Sequence, residues 1–258
     1  MNELQQHITS VTLCIAPKVA ETEAAQWLRT QFHTDKPGES GLLLRLDSEG
    51  LALCFDGQEL QADFSRLLPR LKGLSGEFLV KAAKIKNADA PLTAIDATAG
   101  LGEDSFFLAA AGFHVTLYER NPIIYALLRD ALERAARDPR LADIAAHMTA
   151  VHGDSITAMA QAEPSPDVVL LDPMFPARQK SALVKKKLQM IQKLEFPCLD
   201  EREMMLAAMQ ARPKKLIIKR PPKGPHLAGI KPDHSIEGKA VRFDCIVNPY
   251  DRIHKFFD

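Results

Sequence analysis

The chain has 258 residues, 33 basic and 33 acidic side chains and 46 % apolar residues, so its formal net charge is zero. That is the composition of an ordinary globular protein with one large domain, or with a core domain and a small appendage. It argues against a membrane-spanning chain, whose apolar runs are far longer than Phe106–Ala111, and against a protein that coats nucleic acid non-specifically.

In chain order, Val11 to Ile15 reads as a short strand and Glu21 to Phe32 as a helix with an apolar face. Leu42–Leu46 and Leu51–Phe55 form a hairpin signal around Asp47-Ser48-Glu49-Gly50. Residues 1–74 are expected to be a small N-terminal α+β appendage, and 75–258 the core domain. A helix is expected over Ser75–Ile85, capped by Ser75 with Glu77 in its first turn.

From Thr93 onward strands and helices alternate. Strand 93–96 leads to helix 103–111, which Gly112 stops; strand 114–119 leads to helix 122–137, with Asn121 as its cap and Pro122 in its first turn. Strand 148–152 follows, then the almost wholly apolar strand 167–172, a mostly helical stretch over 181–211 broken near Pro197, and strand 215–219. A Pro-rich segment spans 221–232, and strand 241–247 pairs back on 234–236 across Glu237-Gly238. Repeated βα units predict an α/β, doubly wound parallel sheet with a terminal antiparallel hairpin.

The chemistry is concentrated at three strand ends. Asp96-Ala97-Thr98-Ala99-Gly100-Leu101-Gly102 runs from a strand through a glycine turn into a helix, the context of a nucleotide-type cofactor site, with Asp96, Gly100 and Gly102 as candidate contacts. The dinucleotide fingerprint would need a third glycine where this chain has Ser105. Glu119 closes the next strand and can accept the ribose hydroxyl hydrogens of an adenosine; the alternative is a surface acid paired with Arg120. Asp154 ends the third strand, where it can face an adenine amino group or simply cap a helix.

Asp172-Pro173-Met174-Phe175-Pro176 follows the apolar strand, at the carboxyl end where open α/β sheets place their ligands. Asp172 and the Pro173 carbonyl offer acceptors to an amino group, and Phe175 offers a face for a base. The bland alternative, an Asp-Pro turn, explains neither the aromatic ring nor its placement. This combination points to methyl transfer from S-adenosylmethionine to an exocyclic amino group on a base.

From Pro176 to Lys231 there are 14 Lys or Arg against 4 Asp or Glu, whereas Met1–Leu60 has 4 against 9. Arg178, Lys180, Lys185, Lys186, Lys187, Lys219 and Arg220 are therefore candidate RNA contacts on the carboxyl-end rim, unless the run is merely a solvated face. The four cysteines contain no Cys-x-x-Cys and the eight histidines no ligand-spaced set, so no metal site is expected. Met1–Gln6 has neither a basic nor an apolar leader region, and a cytoplasmic protein with reduced thiols is expected.

Four blocks resemble a known family: Asp96–Gly102, Glu119-Arg120-Asn121-Pro122, Leu171–Pro176 and Gln179–Lys186, with Lys219-Arg220-Pro221 and Arg242-Phe243-Asp244 similar as well. They resemble the bacterial small-subunit ribosomal RNA guanine-N2 methyltransferases of the J type, over roughly residues 75–247. The resemblance implies a class I methyltransferase (Rossmann-like) fold. It also implies S-adenosylmethionine contacts at Glu103, Asp104, Glu119, Arg120, Asp154, Ser155 and Asp172, and a guanine near the 3′ end of 16S rRNA, in the 30S subunit or free, as target. Family members carry a basic, Gly-rich stretch before the core; here Ser65–Gly76 holds only Arg66, Arg70 and Lys72.

The expected reaction is transfer to the guanine 2-amino group, with Asp172, Pro173 and Phe175 as the catalytic set. Asp172 either orients the amino group or also takes its proton. The rivals are a nicotinamide-dependent oxidoreductase, disfavoured by Ser105, and a non-catalytic RNA-binding module, disfavoured by Asp172 and Phe175.

Overall fold

The computed structural model describes residues 11–32, 41–86, 91–173 and 201–256. The N-terminal part builds a four-stranded sheet from β1 (Thr12–Ile15), β2 (Leu43–Asp47), β3 (Gly50–Phe55) and β4 (Gln58–Leu60), in that order. β1 runs parallel to β2, and the other pairs are antiparallel. Leu44 and Leu46 alternate with half-exposed neighbours, as a strand with one buried face requires. Asp47 pairs with Gly50, so Ser48 and Glu49 make the two-residue turn, and Gly50 relieves it at a φ of 109°. β4 was not expected, because three residues are too few to show an alternation.

Helix α1 (Glu23–Gln31) is capped by the Thr22 hydroxyl, which accepts the Ala25 N–H. A 3-10 turn (Phe64–Leu67), α2 (Leu68–Leu71), a second 3-10 turn (Leu74–Gly76) and α3 (Phe78–Ala83) follow. Here the structure corrects the expected helix over 75–85. Ser75 lies in the 3-10 turn and caps nothing, and Glu77 stands at the N-cap position without a capping bond. The Glu77 carboxylate instead accepts from Arg70 Nε (3.0 Å) and an Arg70 terminal nitrogen (2.8 Å), a bidentate pair that competes with the helix end.

The rest of the described chain forms β5 (Leu92–Asp96), α4 (Glu103–Ala110), β6 (Phe113–Glu119), α5 (Pro122–Arg137), α6 (Ala142–Ala145), β7 (Met148–His152), α7 (Ser155–Ala160), β8 (Val168–Leu171), α8 (Glu201–Gln210), β9 (Lys215–Arg220), β10 (His234–Glu237) and β11 (Arg242–Val247). The seven strands order as β10-β11-β9-β8-β5-β6-β7. β11 is antiparallel to both its neighbours, and the other pairs are parallel. The terminal hairpin forms as expected, but β11 inserts between β9 and β10. The helix expected over 181–211 is described only as α8; the Pro197 break and residues 181–200 lie outside the described residues.

Two apolar layers cover the large sheet. Ala94, Val115, Leu170, Ile217 and Phe243 pack under α3, α4 and part of α5, while Ile95, Val169, Leu171 and Ile218 pack under α7 and α8. β8 explains the wholly apolar run: all four of its residues are buried between these layers. Helix α5 serves both sheets. Leu128, Ala131 and Ala135 face the large one, and Ile123, Ile124 and Leu127 pack with Leu44, Leu46, Leu51 and Leu53 of the small one. Phe64 stacks on Phe106 of α4 at a centroid distance of 5.4 Å, so the segment after β4 already belongs to the large core. No helix among the described residues is long and apolar enough to cross a membrane.

Candidate active site

Because β5, β6, β7, β8 and β9 are parallel, the residues that follow them emerge on one edge of the sheet. The turn after β5 is built around two glycines with left-handed backbone. Gly102 (φ 79°) is the N-cap of α4, and a Cβ there would stand 2.7 Å from Leu128 Cδ1 and 3.2 Å from Phe64 Cζ. Gly100 (φ 54°) has nothing within 4 Å of its Cβ position, so its side of the turn lies open to a ligand.

Asp96 and Ser105 lie beneath the turn. Asp96 is 2 % exposed; its carboxylate accepts the Ser105 hydroxyl at 2.6 Å and the Thr98 N–H at 3.1 Å. Burial pushes the Asp96 carboxyl up to about 7, with the Ser105 bond opposing and the Asp104 charge adding. Ser105, fully buried at the position of the missing third glycine, thus braces the end of β5.

Glu119 ends β6 and is 7 % exposed. One carboxylate oxygen accepts the Asn121 N–H at 2.7 Å and the other the Gly100 N–H at 3.0 Å. Burial raises this carboxyl above its ordinary range, and the two backbone donors oppose that. The same side chain therefore fastens the glycine turn to β6 and lies beside its open side. The Asn121 side chain caps α5 by accepting from Ile123 and Ile124. Asp154 caps α7 by accepting the Ile156 N–H, so the capping alternative is realised in the structure, and Ser155 is the first, buried residue of that helix. Glu103, Arg120 and Asp154 are exposed along the same edge.

Asp172 follows β8. Its N–H donates to Thr98 Oγ1 at 2.6 Å, tying the Asp-Pro loop to the glycine turn, and Pro173 is buried. Lys219 Nζ lies 2.9 Å from Asp172 Oδ2 and 2.5 Å from Asp104 Oδ2 on α4. Burial raises the Asp172 carboxyl and Asp104 adds to this, while Lys219 opposes it. Burial would lower Lys219, but the charges of Asp104 and Asp172 outweigh it and hold its ammonium above the ordinary lysine value.

Of the rim candidates, Lys219 and Arg220 are engaged within the fold: the Lys219 ammonium is held by two carboxylates, and Arg220 is 1 % exposed with its Nε donating to the Pro225 carbonyl. Phe175, Arg178, Lys180, Lys185, Lys186 and Lys187 lie outside the described residues. Among the described residues no cluster of His, Cys, Asp and Glu is arranged to hold a metal. Sequence reasoning missed the Thr98 tether, the Ser105–Asp96 bond and the Lys219 bridge. Only Ser105 left a trace, as a small polar residue at the third-glycine position.

A family model described as "Putative SAM-dependent methyltransferase" matches residues 28–248. The ribosomal RNA small subunit methyltransferase J of Thioalkalivibrio sulfidiphilus is 43 % identical over 239 residues, covering 87 % of this chain and 93 % of the relative. That of Marinobacter nauticus is 40 % identical over 243 residues, covering 88 % and 87 %. The chain belongs to this methyltransferase J family. The crystal structure of a SAM-dependent methyltransferase from Neisseria gonorrhoeae superposes with a TM-score of 0.73 at 31 % identity, over 92 % of this chain and 96 % of that one. The fold is that of the class I methyltransferases, and the family's methyl donor is S-adenosylmethionine. The donor fits the edge just described: a buried carboxylate at the end of β6 stands beside the open face of Gly100.

Proposed function

We propose that the protein transfers a methyl group from S-adenosylmethionine to the exocyclic 2-amino group of a guanine in 16S ribosomal RNA, in the cytoplasm. The observation that carries this reading is the hydrogen bond that the Asp172 N–H donates to Thr98 Oγ1, which couples the Asp-Pro loop to the glycine turn on one edge. The names of the methyltransferase J relatives support the ribosomal substrate.

In this reading the cofactor residues are Gly100, Gly102, Glu103, Asp104, Glu119, Arg120, Asp154, Ser155 and Asp172. Asp96 shapes the turn from below. Glu119 accepts the ribose hydroxyls on lone pairs left by its two backbone donors. When bound, S-adenosylmethionine supplies an electrophilic methyl carbon on a sulfonium centre.

The chain's own residues hold the acceptor. A guanine amino lone pair is delocalised into the ring and is a poor nucleophile. Asp172 Oδ1 and the Pro173 carbonyl accept its two hydrogens and favour a more tetrahedral nitrogen, with the lone pair aimed at the methyl carbon. As the N–C bond forms and the C–S bond breaks, the nitrogen sheds one proton. A carboxyl raised by burial and by Asp104 is suited to receive it. Phe175 stacks on the extruded base, and Arg178, Lys180 and Lys185–Lys187 dock the RNA backbone.

The test is transfer of labelled methyl groups to 30S subunits lacking the modification and to naked rRNA, with mass spectrometry of the product nucleoside. We expect 2-methylguanosine from the wild type and none from Asp172→Ala. Methylated adenine or cytosine would overturn the assignment of guanine.

A further inference from the structure

We propose that Lys219 is a positioning residue for methyl transfer: its ammonium bridges Asp104 and Asp172, directing one oxygen of Asp172 into the protein and leaving the other for the target amino group. This rests on the reading of Asp172 as the acceptor of that group.

Three observations carry it. The first is register. Leu171 pairs with Ile218, so Asp172 emerges beside Lys219; Lys219 lies two residues beyond Ile217 and points to the same face, the one α4 covers. The second is the bridge itself. Lys219 Nζ is 2.5 Å from Asp104 Oδ2 and 2.9 Å from Asp172 Oδ2, with the lysine side chain 24 % exposed. Two carboxylates on separate elements are held by one cation, and without it they would repel each other.

The third is the division of Asp172. Its N–H is fixed by Thr98, its Oδ2 faces Lys219, and among the described residues no hydrogen bond is made to Oδ1. A carboxylate free to rotate would offer either oxygen in many orientations. One clamped through Oδ2 offers Oδ1 in one direction, which is what in-line transfer requires.

The bridge also favours the carboxylate form of Asp172. Among the described residues, the charged groups around it are Asp96 on β5, Asp104 on α4, and Lys219 and Arg220 on β9. Burial and Asp104 favour the neutral acid; Lys219 favours the carboxylate, with Arg220 adding to it. Removing the lysine therefore raises the Asp172 pKa further, and a reaction that needs the carboxylate moves to higher pH.

The experiment compares Lys219→Met, Lys219→Arg, Asp104→Asn and Asp172→Asn with the wild type. Single-turnover rates are measured against pH at saturating cofactor and RNA. Independently of activity, the Asp172 carboxyl is titrated by NMR in protein labelled with carbon-13 aspartate, its signal assigned by loss in Asp172→Asn. Lys219→Met should slow transfer about 10²-fold at neutral pH. It should also move the rising limb of the pH profile and the Asp172 titration upward by about one unit or more. Lys219→Arg should restore most of the rate. Asp104→Asn should move the Asp172 titration the other way, downward, and this arm stands even if Lys219→Met fails to fold.

An unmoved limb and an unmoved Asp172 titration in Lys219→Met overturn the proposal. So does a wild-type rate at saturating RNA with a flatter salt dependence of RNA binding, which would make Lys219 a phosphate contact. Wild-type transfer by Asp172→Asn overturns the site reading and this inference with it. An inactive Asp172→Asn beside a wild-type Lys219→Met overturns only the role of Lys219.

Discussion

Gly100 and Gly102 stand two residues apart with the same left-handed backbone, yet in different surroundings. An alanine at either position carries strain of about 1–2 kcal/mol. At Gly102 the added carbon also collides with Leu128 and Phe64 in the core, which costs about 1–3 kcal/mol more. At Gly100 it meets nothing and enters the space assigned to the cofactor. Gly102→Ala should therefore lower the melting temperature more, whereas Gly100→Ala should chiefly weaken S-adenosylhomocysteine binding; calorimetry and thermal melts on both variants check this. Unchanged binding in Gly100→Ala would move the cofactor elsewhere.

Asp96 makes a second residue-scale prediction. Its folded carboxyl holds a proton up to about 7, while in the unfolded chain it releases it near 3.8. Between these values the native state binds more protons than the unfolded one, so this group's contribution makes stability fall as pH rises from about 4 to about 7. Asp96→Asn should flatten that slope. Urea midpoints at pH 5 and pH 7.5 test it: an equal fall in variant and wild type would remove Asp96 as the cause.

At the scale of elements, local signals predicted elements well where their residues act locally. α5 begins and ends where Asn121, Pro122 and the apolar period place it, because capping and periodicity are properties of neighbouring residues. α3 starts later than expected because Glu77 is engaged by Arg70 seven residues away, outside any capping pattern. The basic run after Asp172 belongs to the same scale. Arg66 pairs with Asp63 and Arg70 with Glu77, so those two cations before the core are already engaged. In the proposed reading the RNA backbone is docked by Arg178, Lys180 and the run at 185–187. Replacing Lys185, Lys186 and Lys187 together with alanine should weaken RNA binding and reduce its salt slope by about 0.7–0.9 per lost phosphate contact. Cofactor affinity should stay the same. An unaltered slope would mark the run as a solvated face.

For the whole molecule, α5 is the joint between two sheets. A chain beginning at residue 75, the boundary expected from sequence, would expose Ile123, Ile124 and Leu127, now at 0 %, 1 % and 0 %. Each buried aliphatic side chain contributes about 1.5–3 kcal/mol. Losing three approaches the whole stability of a typical domain, about 5–15 kcal/mol. The shortened chain should fail to melt cooperatively and should not bind S-adenosylhomocysteine, as circular dichroism and calorimetry would show. A cooperative melt within a few degrees of the full chain would show that the small sheet is dispensable.

The sequence by itself determined the alternation of strands and helices from residue 93, the apolar central strand β8, the glycine turn and the Asp-Pro pair at a strand end. Each of these is written in residues close together in the chain, through periodicity, turn chemistry and burial. Only the tertiary structure decided that Ser105 braces Asp96, that Glu119 fastens Gly100, that β11 slips between β9 and β10, and that Lys219 faces two carboxylates rather than solvent. Lys219 and Asp104 are 115 residues apart. Whether a cation points to water or to an acid depends on which strands become neighbours, and that is settled by the packing of the whole sheet.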